Sequence, residues 1–385
     1  MRSCSALPIL LLCLSLPLNA QPLKRIDDKI TNGALDNLHP TVGLFNNDGE
    51  CSATLIGCST VLTAAHCICE TFSGHDFNGV PCQARHDLVG PEGKLVFFQH
   101  AGIFTLSSIA VNPAYNARSG ASDVAILHLS TPVTNIAPSP INRVSPVPLG
   151  LHGEIVGFGS TRTNSTDDGL KRRGNVTTAA CDPQAPGFVC WNFKKPLGAP
   201  GFNSDTCFGD SGGPLFLSLG GQTVLAGVTS SGTNDECAPI DNSFDADVFA
   251  NRAWIQAEGG TDLAATSCGT GPQIGGPGTT ILGSVASLRR GPSRAASTVE
   301  VPAGTAELRI ALSSTDWFFN SNALYIRHGA PASITAFDCK SDAPSGQQFC
   351  SVQNPEAGTW YFLARHLSGP GSTVLVTTTL IRTSP

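Results

Sequence analysis

Ser211 lies in the stretch Asp205-Thr206-Cys207-Phe208-Gly209-Asp210-Ser211-Gly212-Gly213-Pro214. So many glycines suit neither a helix nor a strand interior, and they free the backbone for a tight turn. Such a turn can aim neighbouring N–H groups at one point, which acyl transfer needs to meet the oxyanion of its tetrahedral intermediate. A serine hydroxyl is a weak nucleophile until a base takes its proton. His66, in Thr63-Ala64-Ala65-His66-Cys67, follows the apolar pair Val61-Leu62, and Asp123 stands at the mouth of the apolar run Val124-Ala125-Ile126-Leu127. Alone, a serine among glycines is equally well an ordinary turn. An imidazole and a carboxylate elsewhere in the chain supply what the hydroxyl lacks.

TAAHC, DVAIL and GDSGGP, in this order, resemble the trypsin/chymotrypsin family of serine endopeptidases. The resemblance implies an all-β fold of two six-stranded antiparallel barrels with a C-terminal helix, and an active site in the cleft between them. It makes Ser211 the nucleophile, His66 the general base and then acid, and Asp123 the group that fixes the histidine tautomer. Backbone N–H groups of Gly209 and Ser211 would form the oxyanion hole. Ser230 would support Asp123, and the segment running to Gly232 would pair with substrate backbone as an added strand. Asp205, six residues before Ser211, would floor the primary pocket and favour cleavage after Arg or Lys through a charge-assisted contact. Departures from the family pattern are Ser231 in place of an aromatic, Ser243 where a glycine commonly opens the pocket, and Phe208 at the pocket entrance. Ser243 is expected to narrow the pocket. The family bridges would be Cys51–Cys67 and Cys207–Cys237. Cleavage after Lys29 would free the amine of Ile30 to pair with Asp210, making the chain a zymogen. Cleavage after Arg25 is the alternative.

Composition agrees with export. The chain carries 41 Gly, 27 Pro and one Met among 385 residues, which suits a turn-rich β protein. Residues 1–20 read as a secretory signal: Arg2, the apolar stretch Ile9 to Leu16, then Leu18-Asn19-Ala20. No later apolar run reaches the ~18 residues that a spanning helix needs. Net charge is −6; removing residues 1–29, with four basic and two acidic side chains, leaves −8. No basic run interleaved with aromatics is present, so nucleic acid is excluded as a partner. Protein or peptide substrates, no cofactor, no metal and a monomer are expected.

Of 14 cysteines, Cys4 and Cys13 leave with the signal, and an even twelve remain for disulfides. Cys69–Cys82, Cys181–Cys190 and Cys339–Cys350 are short-range candidates. Cys58 and Cys268 are paired only by elimination. His66-Cys67-Ile68-Cys69 has the look of a metal site, but export and the family bridge assign its sulfur to a disulfide.

The organisation that follows is signal 1–20, activation segment 21–29, protease domain 30–260, linker 261–292 and a small β-sandwich 293–385. Residues 131–148, rich in Pro and Ser, fall where the two barrels should be joined. The 68–92 loop holds His75 and His86, read as surface residues. Val248 to Glu258 has helical spacing. Residues 259–292 gain Gly, Thr, Pro and Ser and read as linker. Beyond them, Ala323-Leu-Tyr-Ile-Arg-His-Gly, Phe337-Asp-Cys and Pro355-Glu-Ala-Gly-Thr-Trp-Tyr resemble the bacterial pre-peptidase C-terminal domain, which implies a bacterial exported precursor. Asn320, Ser321 and Asn322 stand where that family often has acidic residues, so calcium is not expected. Arg289 and Arg290 in the linker and Arg294 at its end suit the expected specificity, so the mature enzyme is expected to trim its own C-terminal domain there. Two other readings stay open: a catalytically silent binding protein on the protease scaffold, and a protease preferring apolar residues.

Overall fold

The structure is a computed structural model and describes residues 30–47, 49–69, 82, 89–194, 201–234, 237 and 240–382. The expected signal and activation segments, with Lys29, and both His75 and His86 lie outside these residues. A two-residue strand, β1 (Ala34–Leu35), precedes the front barrel. That barrel holds β2 (Val42–Asn46), β3 (Glu50–Leu55), β4 (Thr60–Thr63), β5 (Leu95–Phe98), β6 (Gly102–Val111) and β7 (Ala125–Leu129). It closes in the order β2-β3-β4-β7-β6-β5. β2, β4 and β7 are buried nearly throughout, whereas β6 leaves one face largely exposed. The Pro- and Ser-rich crossing then leads to β8 (His152–Gly157), β9 (Arg172–Ala179), β10 (Phe188–Lys194), β11 (Pro214–Leu219), β12 (Gln222–Gly232) and β13 (Ile240–Asp247). Pairings β8–β9–β10–β13–β12–β11–β8 close a second antiparallel barrel, and β1 adds to β9. Its core includes Ile30, Trp191, Leu215 and Leu217.

Asp247 ends β13 and caps the helix Val248–Gly259, its carboxylate accepting the N–H of Phe249 at 2.8 Å. A 3₁₀ turn, Gly260–Ala264, follows. Asp262 in that turn accepts from Cys58 N, Ser59 N and Thr60 Oγ1 at 3.0, 2.9 and 2.7 Å. The disulfide Cys58–Cys268 then ties the chain to the front barrel across 210 residues. The other bridges are Cys51–Cys67, Cys69–Cys82, Cys181–Cys190, Cys207–Cys237 and Cys339–Cys350.

The expected linker 261–292 is not patternless. Its first part is anchored as just described, and Thr279–Arg289 forms β14. This strand pairs with the final strand along eleven residues. The sequence Thr-Thr-Ile-Leu-Gly-Ser-Val-Ala-Ser-Leu-Arg alternates weakly because an edge strand buries only part of either face, so its Gly, Thr and Ser looked like a tether. The sandwich therefore starts at β14 rather than at residue 293. One sheet has the order β14-β21-β16-β19, the other β15-β20-β17-β18. Their ranges are β15 Arg294–Val301, β16 Thr305–Ser314, β17 Ser321–His328, β18 Cys339–Ser341, β19 Gln348–Gln353, β20 Gly358–Ser368 and β21 Gly371–Arg382. Leu308, Ile310, Leu312, Val374 and Val376 of the first sheet meet Leu324, Ile326, Trp360 and Phe362 of the second. Arg289 and Arg294 sit on paired strands, opposite Gly371 and Arg365, with Arg290 in the turn between. Strand pairing withholds the extended, free backbone that a protease needs at the first two.

The sandwich is docked rather than hung on a tether. The outer face of β16 and β21 covers the turn between β5 and β6. Arg309, 4% exposed, donates to His100 O at 2.9 Å and Asn135 Oδ1 at 2.8 Å. Thr379 Oγ1 lies 2.8 Å from His100 Nδ1, and burial drives that imidazole's pKa down to about 3, so it stays neutral. A Cβ at Gly102, whose φ is +100°, would meet Phe349 of β19 at 2.7 Å.

Candidate active site

β4 ends at Thr63, and the chain turns into a single helical turn, His66–Cys69. Cys67 of that turn is bridged to Cys51 on β3, so the ring of His66 is held at the barrel rim. Asp123 enters just before β7. It accepts from His66 N at 2.8 Å, from His66 Nδ1 at 2.7 Å and from Ser230 Oγ of β12 at 2.6 Å. With Asp123 1% exposed, burial opposes its charge, yet His66 and the hydrogen bonds from His66 and Ser230 outweigh burial and hold the carboxyl below the ordinary value. The bond at Nδ1 leaves Nε2 as the ring nitrogen directed elsewhere. The sulfurs of Cys51 and Cys67 lie close to the His66 ring, but both are consumed by the disulfide.

Ser211 comes from the other barrel, in the turn before β11. Ser52 N of β3 donates to Ser211 O at 2.7 Å, and Gly212 N donates to Thr229 O at 2.8 Å, so the turn is stitched to both barrels. Two glycines are indispensable here. A Cβ on Gly212 would fall 2.1 Å from Thr63 Oγ1, and one on Gly209 would fall 2.8 Å from Gly159 Cα; their φ values are +80° and +92°. Ser211, His66 and Asp123 line one cleft of about 1060 Å³ between the barrels. Among the described residues no hydrogen bond joins Ser211 Oγ to the ring; such bonds are often loose before substrate arrives. The N–H groups of Gly209 and Ser211 make no hydrogen bond to a described residue.

Asp205 is fully buried behind this turn. Ser243 Oγ donates to its Oδ1 at 2.5 Å, and Thr206 N to the same oxygen at 3.0 Å. Oδ2 is buried with no partner within hydrogen-bond distance, although the Trp191 indole lies near enough to favour the charged form. Burial, with Asp241 nearby, pushes this carboxyl up to about 8. Ser243 therefore braces the aspartate rather than merely narrowing its pocket. Asp241, which the sequence reading passed over, lines the cleft, whereas Asp205 lies behind its surface. A Cβ at Gly232 would meet its Oδ2 at 2.4 Å, and Ser243 Oγ also reaches that oxygen at 2.9 Å. Phe208 is 58% exposed at the cleft.

Ile30 is fully buried in the rear barrel, and Asp205 N donates to Thr31 O at 3.1 Å. Asp210, 1% exposed, accepts from Gly159 N and Cys207 N, both at 2.9 Å. Burial pushes its carboxyl up to about 7. The sequence reading also missed Glu50. Its side chain lies against Gly209, and its two oxygens accept from Gly169 N and from Trp317 Nε1 of the sandwich, each at 2.9 Å. Nothing local announces it: a glutamate before a cysteine at a strand start carries no signal until the sandwich is in place.

Comparison with known proteins gives two family matches, Trypsin over residues 31–255 and the bacterial pre-peptidase C-terminal domain over 294–366. Serine protease SSP1 of Scolopendra subspinipes is 31% identical over 63% of this chain and 87% of its own length. A trypsin of Saccharopolyspora erythraea is 30% identical over 50% of this chain and 82% of its own. Neuropsin, a serine protease expressed in the limbic system of mouse brain, overlays 59% of this chain and 98% of its own with a TM-score of 0.46 and 20% identity.

Proposed function

The chain belongs to the trypsin family and is a trypsin-like serine endopeptidase; from that premise we propose that it hydrolyses peptide bonds after Arg or Lys through Ser211, His66 and Asp123. The observation that carries the reading is Asp123 clamped between His66 Nδ1 and Ser230, with Ser211 on the facing barrel of the same cleft. His66 Nε2 takes the proton of Ser211 Oγ as that oxygen attacks the scissile carbonyl. The carbonyl oxygen, now negative, is met by the N–H groups of Gly209 and Ser211. Asp123 stabilises the imidazolium without taking its proton. His66 returns the proton to the departing amine, and the C–N bond breaks. Water then repeats the sequence on the acyl-enzyme, releasing the acid and restoring Ser211.

Asp205 supports the preference. A buried carboxylate oxygen lacking a partner calls for a cation, and a guanidinium or ammonium side chain provides one. Asp241, which shares Ser243 Oγ with Asp205, adds acidity at the cleft itself. Activation by cleavage after Lys29 is the companion proposal. Ile30 is already inserted in the rear barrel, and Asp210 is a buried carboxyl beside Ser211 for which a new amine would be the counter-charge. An amine there would order the loop bearing the oxyanion donors. We also propose export, from the leading apolar segment and the disulfides; no helix among the described residues is long and apolar enough to cross a membrane.

Arg-, Lys- and Phe-ended nitroanilides, tested on protein cut at Lys29, decide the matter. Turnover of the basic pair is expected. Turnover of the Phe substrate alone would remove the role of Asp205. No turnover, with Ser211 unlabelled by an organophosphonate, would leave a silent scaffold.

A further inference from the structure

The loop joining β16 to β17, Asp316-Trp317-Phe318-Phe319-Asn320, belongs to the sandwich yet lines the cleft that holds Ser211. Its conformation is tightly fixed. Trp317 is 5% exposed and bonded to Glu50; Asp316 N donates to Asp168 O at 3.1 Å; Gly346 N donates to Trp317 O at 3.1 Å. Asn320 Nδ2 donates to Asp316 O at 3.0 Å, and its Oδ1 accepts from Gly371 N at 3.0 Å. Asp316 has φ +49°, the left-handed region that a non-glycine residue enters at a cost. All this rigidity presents two rings outward: Phe318 is 56% exposed and Phe319 69%. They stack edge to face at 5.3 Å, and Phe318 does the same with Trp317 at 5.9 Å.

Position says which part of a substrate would meet them. The Thr229–Gly232 edge is the one assigned above to residues before the scissile bond; the Cys51–Cys67 bridge and Glu50 line the same cleft and are left for the residues after it. Glu50 is the joint: one end packs on Gly209, and the carboxyl holds Trp317. Two exposed rings on a fixed loop, continuous with the catalytic cleft, suit an apolar or aromatic side chain.

We propose that Phe318 and Phe319 form a subsite for a bulky apolar residue on the C-terminal side of the scissile bond, so that the sandwich is part of the substrate site. The subsite rests on the proteolytic reading above. It predicts selection that a nitroanilide, which has no residues beyond the bond, cannot reveal.

The experiment compares full-length enzyme cut at Lys29 with the double variant Phe318→Ser, Phe319→Ser, concentrations being set by organophosphonate titration. Substrates are an Arg nitroanilide and quenched peptides with Arg before the bond and Phe, Leu, Ser or Gly at the first two positions after it. Wild type is expected to favour Phe and Leu over Ser and Gly by about tenfold in kcat/KM, the scale of one apolar side chain in a pocket. In the variant the loss on Phe and Leu peptides should exceed any loss on the nitroanilide by about that factor, and Phe318→Leu, Phe319→Leu should restore most of it. Nitroanilide turnover with no preference among the peptides overturns the subsite alone. So does a variant that gains activity on every peptide, since the rings would then be obstructing the cleft. A wild type that turns over none of the Arg-, Lys- and Phe-ended nitroanilides and stays unlabelled by the organophosphonate defeats the proteolytic reading and the subsite with it.

Discussion

On one side of Ser211 the cleft wall comes from residues close in sequence: Thr206 and Phe208 on the loop, with Asp205 buried behind them, then Thr229 to Gly232 on the strand. On the other side the wall depends on Glu50 and Trp317, 267 positions apart. Both sides are rigid, but for different reasons. The first is fixed by the Cys207–Cys237 bridge and the β12–β13 ladder. The second is fixed by a sandwich whose outer face is buried against the front barrel through Arg309, His100 and Thr379. The first leaves a carboxylate without a partner and the second leaves two aromatic rings uncovered. On the proposed reading, such a cleft would select charge before the bond and apolar bulk after it.

The largest effect should fall on the chemistry common to both sides. Ser211→Ala is expected to lower kcat by on the order of 10⁶-fold for every substrate, read by nitroanilide turnover. A residual rate within tenfold of wild type would show that another group attacks. Next, Asp205→Asn removes the pocket charge while keeping its shape. It should cost roughly 10²–10³ in kcat/KM for Arg and Lys substrates, as for a buried charge left without its partner, and far less for Phe. An equal loss on all three would make Asp205 a folding residue and dissolve the contrast between the two walls.

Trp317→Ala attacks the other wall. Removing a buried indole should cost about 3–5 kcal/mol, seen in calorimetry as earlier unfolding of the sandwich and in limited proteolysis as new cuts between residues 265 and 278. A transition that does not move would mean that the sandwich docks without this anchor. The smallest effect is a titration. Burial holds the free Asp205 carboxyl at about 8, whereas a bound cation needs it ionised. Binding of benzamidine must therefore release a proton below that pH. Its affinity should rise by up to tenfold per pH unit as pH climbs toward 8 and level off above. Calorimetry in buffers of different ionisation enthalpy measures the release; none at pH 6 would show that Asp205 is already charged.

Much of the front and rear barrels could be read directly. Strands such as Val42–Asn46 and Ala125–Leu129 are short apolar runs, and the motifs fix where the turns between them fall. The pairing of His66 with Asp123 followed from a family pattern and is seen as a 2.7 Å bond. Harder were residues whose role depends on what covers them. Arg309 and Thr379 carry no local sign of what covers them; in the fold both meet His100 of the front barrel and are buried there. β14 looked like a tether for the same reason. Asp241 became visible only when β13 set it beside Ser243 and Gly232.

Sequence alone determined the parts whose signal is local: the Ser211 turn with its glycines, the histidine and aspartate at strand ends, the cysteines of the short bridges, and two β units of different pattern. Each depends on neighbours a few positions away, or on backbone freedom that only glycine gives. Tertiary structure decided what depends on contacts between distant segments. It set Ser243 against Asp205, joined Glu50 to Trp317, and laid the outer face of the sandwich on the front barrel. Periodicity tells which side chains share a face, whereas what that face meets is settled only when the whole chain has packed.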